Sequence, residues 1–265
     1  MEHSATPLEA TAIHPTAVVH PRARIGEGCE IGPYCVIGER VVLGPRNRLH
    51  SHVIVDGVTT LGTGNEVYPF ATLGLRTQDL KYRGGETRTE IGDHNTIREG
   101  VTIHSATGDG EVTVVGSSNH ILAYTHIGHN VVLGNHVIIS SAGLAGHVIV
   151  EDRAVIGGHS LIHQFCRIGS MAIVGGCSKV VQDVPPFMLV DGNPAVIRSI
   201  NRVGLERNGV SEEAAAAIKQ AYRFLFREHL SLTNALARIE AELPPLPEVR
   251  HLVEFIRGSD RGIGK

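Results

Sequence analysis

The chain has 265 residues and an ordinary 42 % of hydrophobic residues, but only 4 % aromatics, no tryptophan and 31 glycines. Its core therefore cannot draw on large aromatic side chains and has to be built from aliphatics joined by many turns. A net charge of −3 without a basic run gives no footing for nucleic acid, and no apolar run of about eighteen residues marks a spanning helix. The opening MEHSATPLEATAIHP has neither a basic region nor an apolar stretch of the secretory kind, so a cytoplasmic location is expected.

From Ile13 an aliphatic recurs every sixth residue: Val19, Ile25, Ile31, Ile37, Leu43, Leu49, Val55, Leu61, Val67 and Leu73. The next residue is often glycine (IGEGCE, IGPYCV, IGERVV, LGPRNR), and the fifth is usually small, as at Ala17, Ala23, Cys29, Cys35, Asn47 and Ala71. This is the hexapeptide signature of a parallel β-helix. Each short strand turns one large side chain inward, three hexads close a coil of about eighteen residues, and stacked coils pair about 4.8 Å apart. The glycines are expected to serve the positive φ of the corners.

Two stretches leave the register. In GLRTQDLKYRGGETRTE the in-phase places hold Asp79 and Gly85, and in SATGDGEVT Asp109, so loops are expected near residues 74–90 and 105–114. Binding groups concentrate on loops carried by a rigid scaffold. The repeat resumes at Ile91 and continues to Val180, with one five-residue step from Ile139 to Leu144. After DVPPFMLVDGNPA the pattern becomes helical. Ser211 followed by Glu212 and Glu213 opens a helix with Ile218, Tyr222, Leu225 and Phe226 on one face. LTNALARIEAEL and PEVRHLVEFIRG predict two more, divided by PPLP and stopped by Gly258. The expected organisation is a β-helix over 1–195 and a helical domain over 196–265, with an open coil end and flat sides that argue for an oligomer.

Cys29, Cys35, Cys166 and Cys177 form no CxxC pair and read as reduced thiols packed as small apolar residues. Cys166, near His163, could be a nucleophile, but its fifth-position place points to a packed corner. Among the 16 histidines, His126 and His129 in THIGHNVVLGN stand out. His129 is third in the hexad that starts at Ile127, and Gly146 is third in the hexad from Leu144, one coil later. An imidazole beside an unhindered backbone N–H suits a base and an oxyanion donor for acyl transfer.

NTIREGVTIH, HIGHN, GLAGHV, IGGHSLIHQFCRIG and DVPPFMLVDGNPA, with TQDLKY in the first loop, together resemble the acyl-ACP:UDP-N-acetylglucosamine O-acyltransferases that open lipid A biosynthesis. The resemblance runs over essentially the whole chain. It implies a homotrimer of left-handed β-helices with active sites between subunits; the handedness comes from the family, since the usual crossover is right-handed. It further implies acyl carrier protein and UDP-N-acetylglucosamine as partners, with no cofactor and no metal. His129 resembles the general base and Gly146 the oxyanion donor. Asp79, Lys81 and His147 resemble sugar contacts, His126, His163 and Gln164 further nucleotide-sugar or acyl-pocket contacts, Asn201 and Arg207 nucleotide contacts, and Gly176 the chain-length stop. Where the family usually has Asp after the base this chain has Asn130, so charge assistance to His129 is expected to fall and its orientation to come from an amide. Two alternatives share the repeat. One is the related UDP-3-O-acylglucosamine N-acyltransferase; the other is a zinc-dependent carbonic anhydrase on a β-helix, for which His120, His126 and His129 would be the ligands.

Overall fold

The hexads fold as two-residue strands such as Glu30–Ile31 and Val36–Ile37, in which the first side chain is exposed and the second buried. A strand period of two imposes this alternation. The computed structural model describes residues 10–264, which divide into two compact units at residues 136 and 137.

In the first unit three parallel faces are built from every third strand. One face runs Ala12–Ile13, Glu30–Ile31, Arg48–Leu49, Glu66–Val67, Thr96–Ile97 and His120–Ile121. Neighbouring coils are tied by main-chain bonds such as Glu30 N–H to the Asn47 carbonyl at 2.9 Å and Gly32 N–H to Leu49 at 2.8 Å. The aliphatic column from Ile31 to Leu133 is almost wholly buried, whereas Ile13, in the first described strand, is 47 % exposed.

The second-position glycines have a different reason from the one expected. A Cβ on Gly26 would lie 2.5 Å from the Gly44 carbonyl carbon, and one on Gly44 2.5 Å from the Gly62 oxygen, so glycine there admits the next coil's backbone. Positive φ falls instead on the fourth residue of most hexads and is often carried by a larger side chain, as at Tyr34, His52, Phe70, Tyr124 and Asn130.

The fifth position holds a polar ladder. The Asn47 side-chain oxygen accepts from the N–H and Nδ2 of Asn65, Asn65 does the same for Asn95, and the Asn95 oxygen accepts from Asn119 N–H, each at 2.9 Å. These side chains are 0–1 % exposed, and a buried amide that is hydrogen-bonded carries no desolvation penalty from lost partners. The ladder stays in register although Asn65 and Asn95 are 30 residues apart and Asn95 and Asn119 are 24. The extra residues leave the wall as two loops. One lies between strands Thr72–Leu75 and Arg88–Ile91, the other between Thr102–His104 and Val112–Val115.

The second unit continues the repeat. The five-residue step is taken up at Ser141, whose φ of 43° makes the corner. Strand Met188–Gly192 pairs in parallel with Ile173–Val174 and antiparallel with Ala195–Ile200, so strand runs beyond residue 195. Four helices follow: α1 Arg202–Arg207, α2 Glu212–Phe226, α3 Leu232–Glu242 and α4 Pro247–Arg257. The short α1 was not anticipated from the sequence. Ser211 caps α2 and Ser231 caps α3 by accepting N–H bonds, as N-cap hydroxyls do. On α2, Ile218, Tyr222 and Leu225 are buried as expected, but Phe226 is only partly covered and Phe224 takes the interior place. Cys29, Cys35 and Cys166 are buried, whereas Cys177 is exposed because it sits at a corner with φ 59°.

Within this unit α4 is anchored by His251, whose Nε2 lies 2.7 Å from Glu151. Burial works to raise the Glu151 carboxyl, but His251 and the N–H and hydroxyl of Ser170 hold it below its ordinary value. The same Glu151 contact, against burial, raises His251 above 6.5. A histidine raised on folding contributes stability that is full below its unfolded value and is lost as pH rises through the folded one. The melting temperature should therefore fall as pH is taken from 6 to 9, and His251→Gln should flatten that slope; thermal unfolding across this range checks it, and an equal slope in the variant contradicts it.

Candidate active site

The strand His126–Ile127 lies beside Thr102–His104, with Thr102 opposite His126 and Ile103 opposite Ile127. Because Ile127 fills the column, the next corner carries His129 and Asn130 outward, and Asn130 takes the left-handed conformation, φ 59°. Asparagine tolerates that region better than most residues. The Asn130 N–H donates to Thr113 Oγ1 at 2.8 Å, fixing the corner to the preceding coil.

His129 is held at one ring nitrogen by its neighbour and turns the other toward the first loop. Its Nδ1 lies 2.9 Å from Asn130 Oδ1, so its orientation does come from an amide. Its Nε2 faces Asp79 Oδ2 at 3.7 Å, too long for a direct hydrogen bond, and the two side chains are 17 % and 18 % exposed. Asp79 comes from the first loop, which folds back by local bonds. The Asp79 N–H donates to Thr77 Oγ1 at 3.1 Å, Asp79 Oδ1 accepts from Lys81 N–H at 3.0 Å, and the hydroxyls of Thr77 and Thr107 meet at 3.0 Å. The Lys81 N–H, opposed by desolvation, lowers the Asp79 carboxyl, helped by the charges of His129 and Lys81 and by the Thr107 hydroxyl. Asp79 is thus a fixed negative charge facing His129 Nε2.

The other histidines nearby differ in kind. His126 Nδ1 pairs with Thr102 Oγ1 at 2.8 Å, and His104 packs edge-on against His126 with ring centres 5.3 Å apart. Burial, followed by neighbouring histidine charge, pushes both below the ordinary imidazole value, so both are neutral at neutral pH. The structure therefore brings together His129, Asp79 and His126 of the expected residues, with Lys81 contributing its main chain and its charge.

The remaining candidates belong to the second unit. Gly146 is buried, and its carbonyl accepts from Phe165 N–H at 3.1 Å. His147 stacks on Phe165 with centres 4.6 Å apart. His163 and Gln164 are exposed, with His163 Nδ1 3.2 Å from the Gln164 carbonyl. Gly176 is exposed, and a Cβ there would meet only Gly158, its oxygen at 3.3 Å. Asn201 caps α1 through Gly204 N–H and donates to the Met171 carbonyl at 2.8 Å, so its amide is engaged within the fold; Arg207 is exposed at the end of that helix. Burial pushes the Cys166 thiol up to about 11, which keeps it protonated and poorly nucleophilic. Among the described residues no group of three or more His, Cys, Asp or Glu is arranged to hold a metal ion.

Residues missed from the sequence are Thr107 and Glu111, both in the second loop. The Asn130 amide donates to Glu111 at 2.7 Å and accepts from Thr107 N–H at 3.1 Å. The coil period would have found Glu111, because it precedes His129 by one coil of eighteen residues.

Residues 9–39 match the family described as bacterial transferase hexapeptide (six repeats), and residues 183–264 match UDP N-acetylglucosamine O-acyltransferase, domain 2. The acyl-[acyl-carrier-protein]–UDP-N-acetylglucosamine O-acyltransferase of Gloeothece citriformis is 49 % identical over 97 % of this chain and 93 % of its own. Among solved structures, LpxA of Acinetobacter baumannii superposes with a TM-score of 0.92 at 41 % identity, covering 96 % of this chain and 99 % of that one. LpxA of Bacteroides fragilis, a UDP-N-acetylglucosamine acyltransferase, superposes at 0.93 with 39 % identity, covering 96 % and 100 %. The fold is accordingly a left-handed parallel β-helix of hexapeptide repeats with C-terminal helices. A parallel column of hexads, a loop-borne carboxylate facing a histidine anchored on Asn130, and similarity along nearly the full length place the chain in one family: it is a member of the acyl-[acyl-carrier-protein]–UDP-N-acetylglucosamine O-acyltransferases.

Proposed function

We propose that this chain transfers a 3-hydroxyacyl group from the thioester of acyl carrier protein to the 3-hydroxyl of UDP-N-acetylglucosamine, the opening step of lipid A biosynthesis, with His129 as general base. The observation that carries the reading is the polarity of His129: Nδ1 is anchored on Asn130, and Nε2 faces the ionised Asp79 across 3.7 Å. A sugar hydroxyl entering between them can donate to Nε2 within the 2.6–3.2 Å that proton transfer needs. The family relatives, named for both substrates, support the same reaction.

In this reading the hydroxyl oxygen bonds to the thioester carbon as its proton passes to His129. The carbon–sulfur bond then breaks, and the protonated imidazole returns the proton to the departing thiolate, so no covalent enzyme intermediate, cofactor or metal takes part. Asp79 stabilises the imidazolium by charge, a contribution that grows as substrates exclude water. Gly146 N–H is assigned to the oxyanion on the strength of its hexad position. Lys81 and His147 are assigned to the sugar, His126, His163 and Gln164 to the nucleotide sugar or the acyl pocket, and Asn201 and Arg207 to the nucleotide. A guanidinium suits a diphosphate because its donors match paired oxygens. We assign a homotrimer with active sites between subunits and a cytoplasmic location; no helix among the described residues is long and apolar enough to cross a membrane.

Replacing the base tests the reading most simply. His129→Ala should lower turnover by about 10² to 10⁴ while leaving the fold intact, since the side chain lies outside the aliphatic column. Near-normal turnover in a folded variant sinks the assignment. Acyl selectivity is assigned to Gly176, where the absence of a side chain leaves a groove open to a longer 3-hydroxyacyl chain. In a series of donors of increasing length, Gly176→Met should shift preference to shorter chains without abolishing transfer, because each excluded methylene forfeits about 0.8 kcal/mol. An unchanged preference in an active variant would place the ruler elsewhere.

A further inference from the structure

We propose that Glu111 is a positioning residue for the base: its carboxylate sets the Asn130 amide, and through that amide the tautomer and orientation of His129. The inference rests on the reading of His129 as the base. Strand Val112–Val115 pairs with Val132–Leu133, Val114 opposite Val132, and extending that register sets Glu111 alongside His129. The outgoing chain of the second loop thus delivers a carboxylate to the corner that carries the base.

Hydrogen-bond polarity decides the rest. A carboxylate only accepts, so the Asn130 Nδ2 must be the end that faces Glu111 Oε2 at 2.7 Å. Oδ1 then faces His129 Nδ1 at 2.9 Å and also accepts from Thr107 N–H at 3.1 Å. Because an amide oxygen cannot donate, Nδ1 carries the imidazole hydrogen and the Nε2 lone pair is left toward Asp79. Glu111 is itself held, its Oε2 accepting from Gly108 N–H at 2.7 Å. The line Gly108, Glu111, Asn130, His129 ends on a negative charge that polarises the amide toward the imidazole and favours the imidazolium formed on proton uptake. Glu111 is exposed in the single chain, so screening limits this electrostatic share and orientation is the larger one. Glu111 supplies at one remove the carboxylate that an Asp in the place of Asn130 would supply directly.

The arrangement makes a prediction that simple additivity does not. Asn130→Asp keeps a residue tolerated at φ 59° but sets two carboxylates against each other at hydrogen-bond distance, whereas Glu111→Gln removes the charge and lets the amide turn. Combining the two restores a carboxylate and an amide in reverse order. The test is acyl transfer from acyl carrier protein to UDP-N-acetylglucosamine by the full chain, with kcat and KM measured for both singles, the double variant and His129→Ala. Glu111→Gln should lower kcat about tenfold with KM for the sugar nucleotide changed by less than about twofold, the pattern of a group acting only in the transition state. Asn130→Asp should also lose turnover, and the double variant should recover most of the wild-type kcat. Losses that simply add in the double variant, or a wild-type kcat in Glu111→Gln, overturn the proposal while leaving His129 as the base. Full activity in His129→Ala overturns the base assignment and this inference with it.

Discussion

The main-chain ladder between successive coils is the constraint on which the rest depends. A coil can stack only if every strand meets its counterpart in phase, because a one-residue slip would turn the aliphatic column outward. The Asn47, Asn65, Asn95 and Asn119 ladder adds a second fixed register inside the first unit. Loops can then be inserted without disturbing the wall, which is why Thr96 still meets Glu66 and His120 meets Thr96 across insertions of different length. Rigid coils and variable loops together bring Asp79, Thr107 and Glu111 to the corner formed by His129 and Asn130.

Differences of burial give neighbouring histidines different work. His104 and His126 are covered and pushed toward the neutral form, so they offer polar contacts without competing for the proton. His129 sits at a corner, fixed through Nδ1, with an ionised carboxylate beyond Nε2. The loop bonds that lower the Asp79 carboxyl keep that charge present when a proton arrives, and fixed groups of this kind need no reorganisation during reaction. In the second unit a different pair, His251 and Glu151, secures a helix.

Much of this could be read in the sequence because the hexad is a strong local signal. The step of six marked the buried column, its interruptions marked both loops, and Ser211 marked the start of α2. What the sequence concealed depends on distances between coils. The glycines after each aliphatic looked like turn residues, yet Gly26 and Gly44 are required by backbone passing beneath them, while Tyr34 and Phe70 adopt the strained corner conformation. Glu111 looked like a solvated loop charge until coil register set it beside Asn130. Ile13 followed the pattern but is 47 % exposed. Asn130 beside His129 was visible, but the partner that completes its amide was not.

The account turns on which nitrogen of His129 bears the hydrogen. Nitrogen-15 NMR of the histidine rings, with His129 assigned by its loss in His129→Ala, reads this directly in the neutral imidazole. The account predicts hydrogen on Nδ1, bonded to the Asn130 oxygen, and an unprotonated Nε2 facing Asp79. Hydrogen on Nε2 instead would leave no acceptor for the substrate hydroxyl's proton and would contradict the central claim.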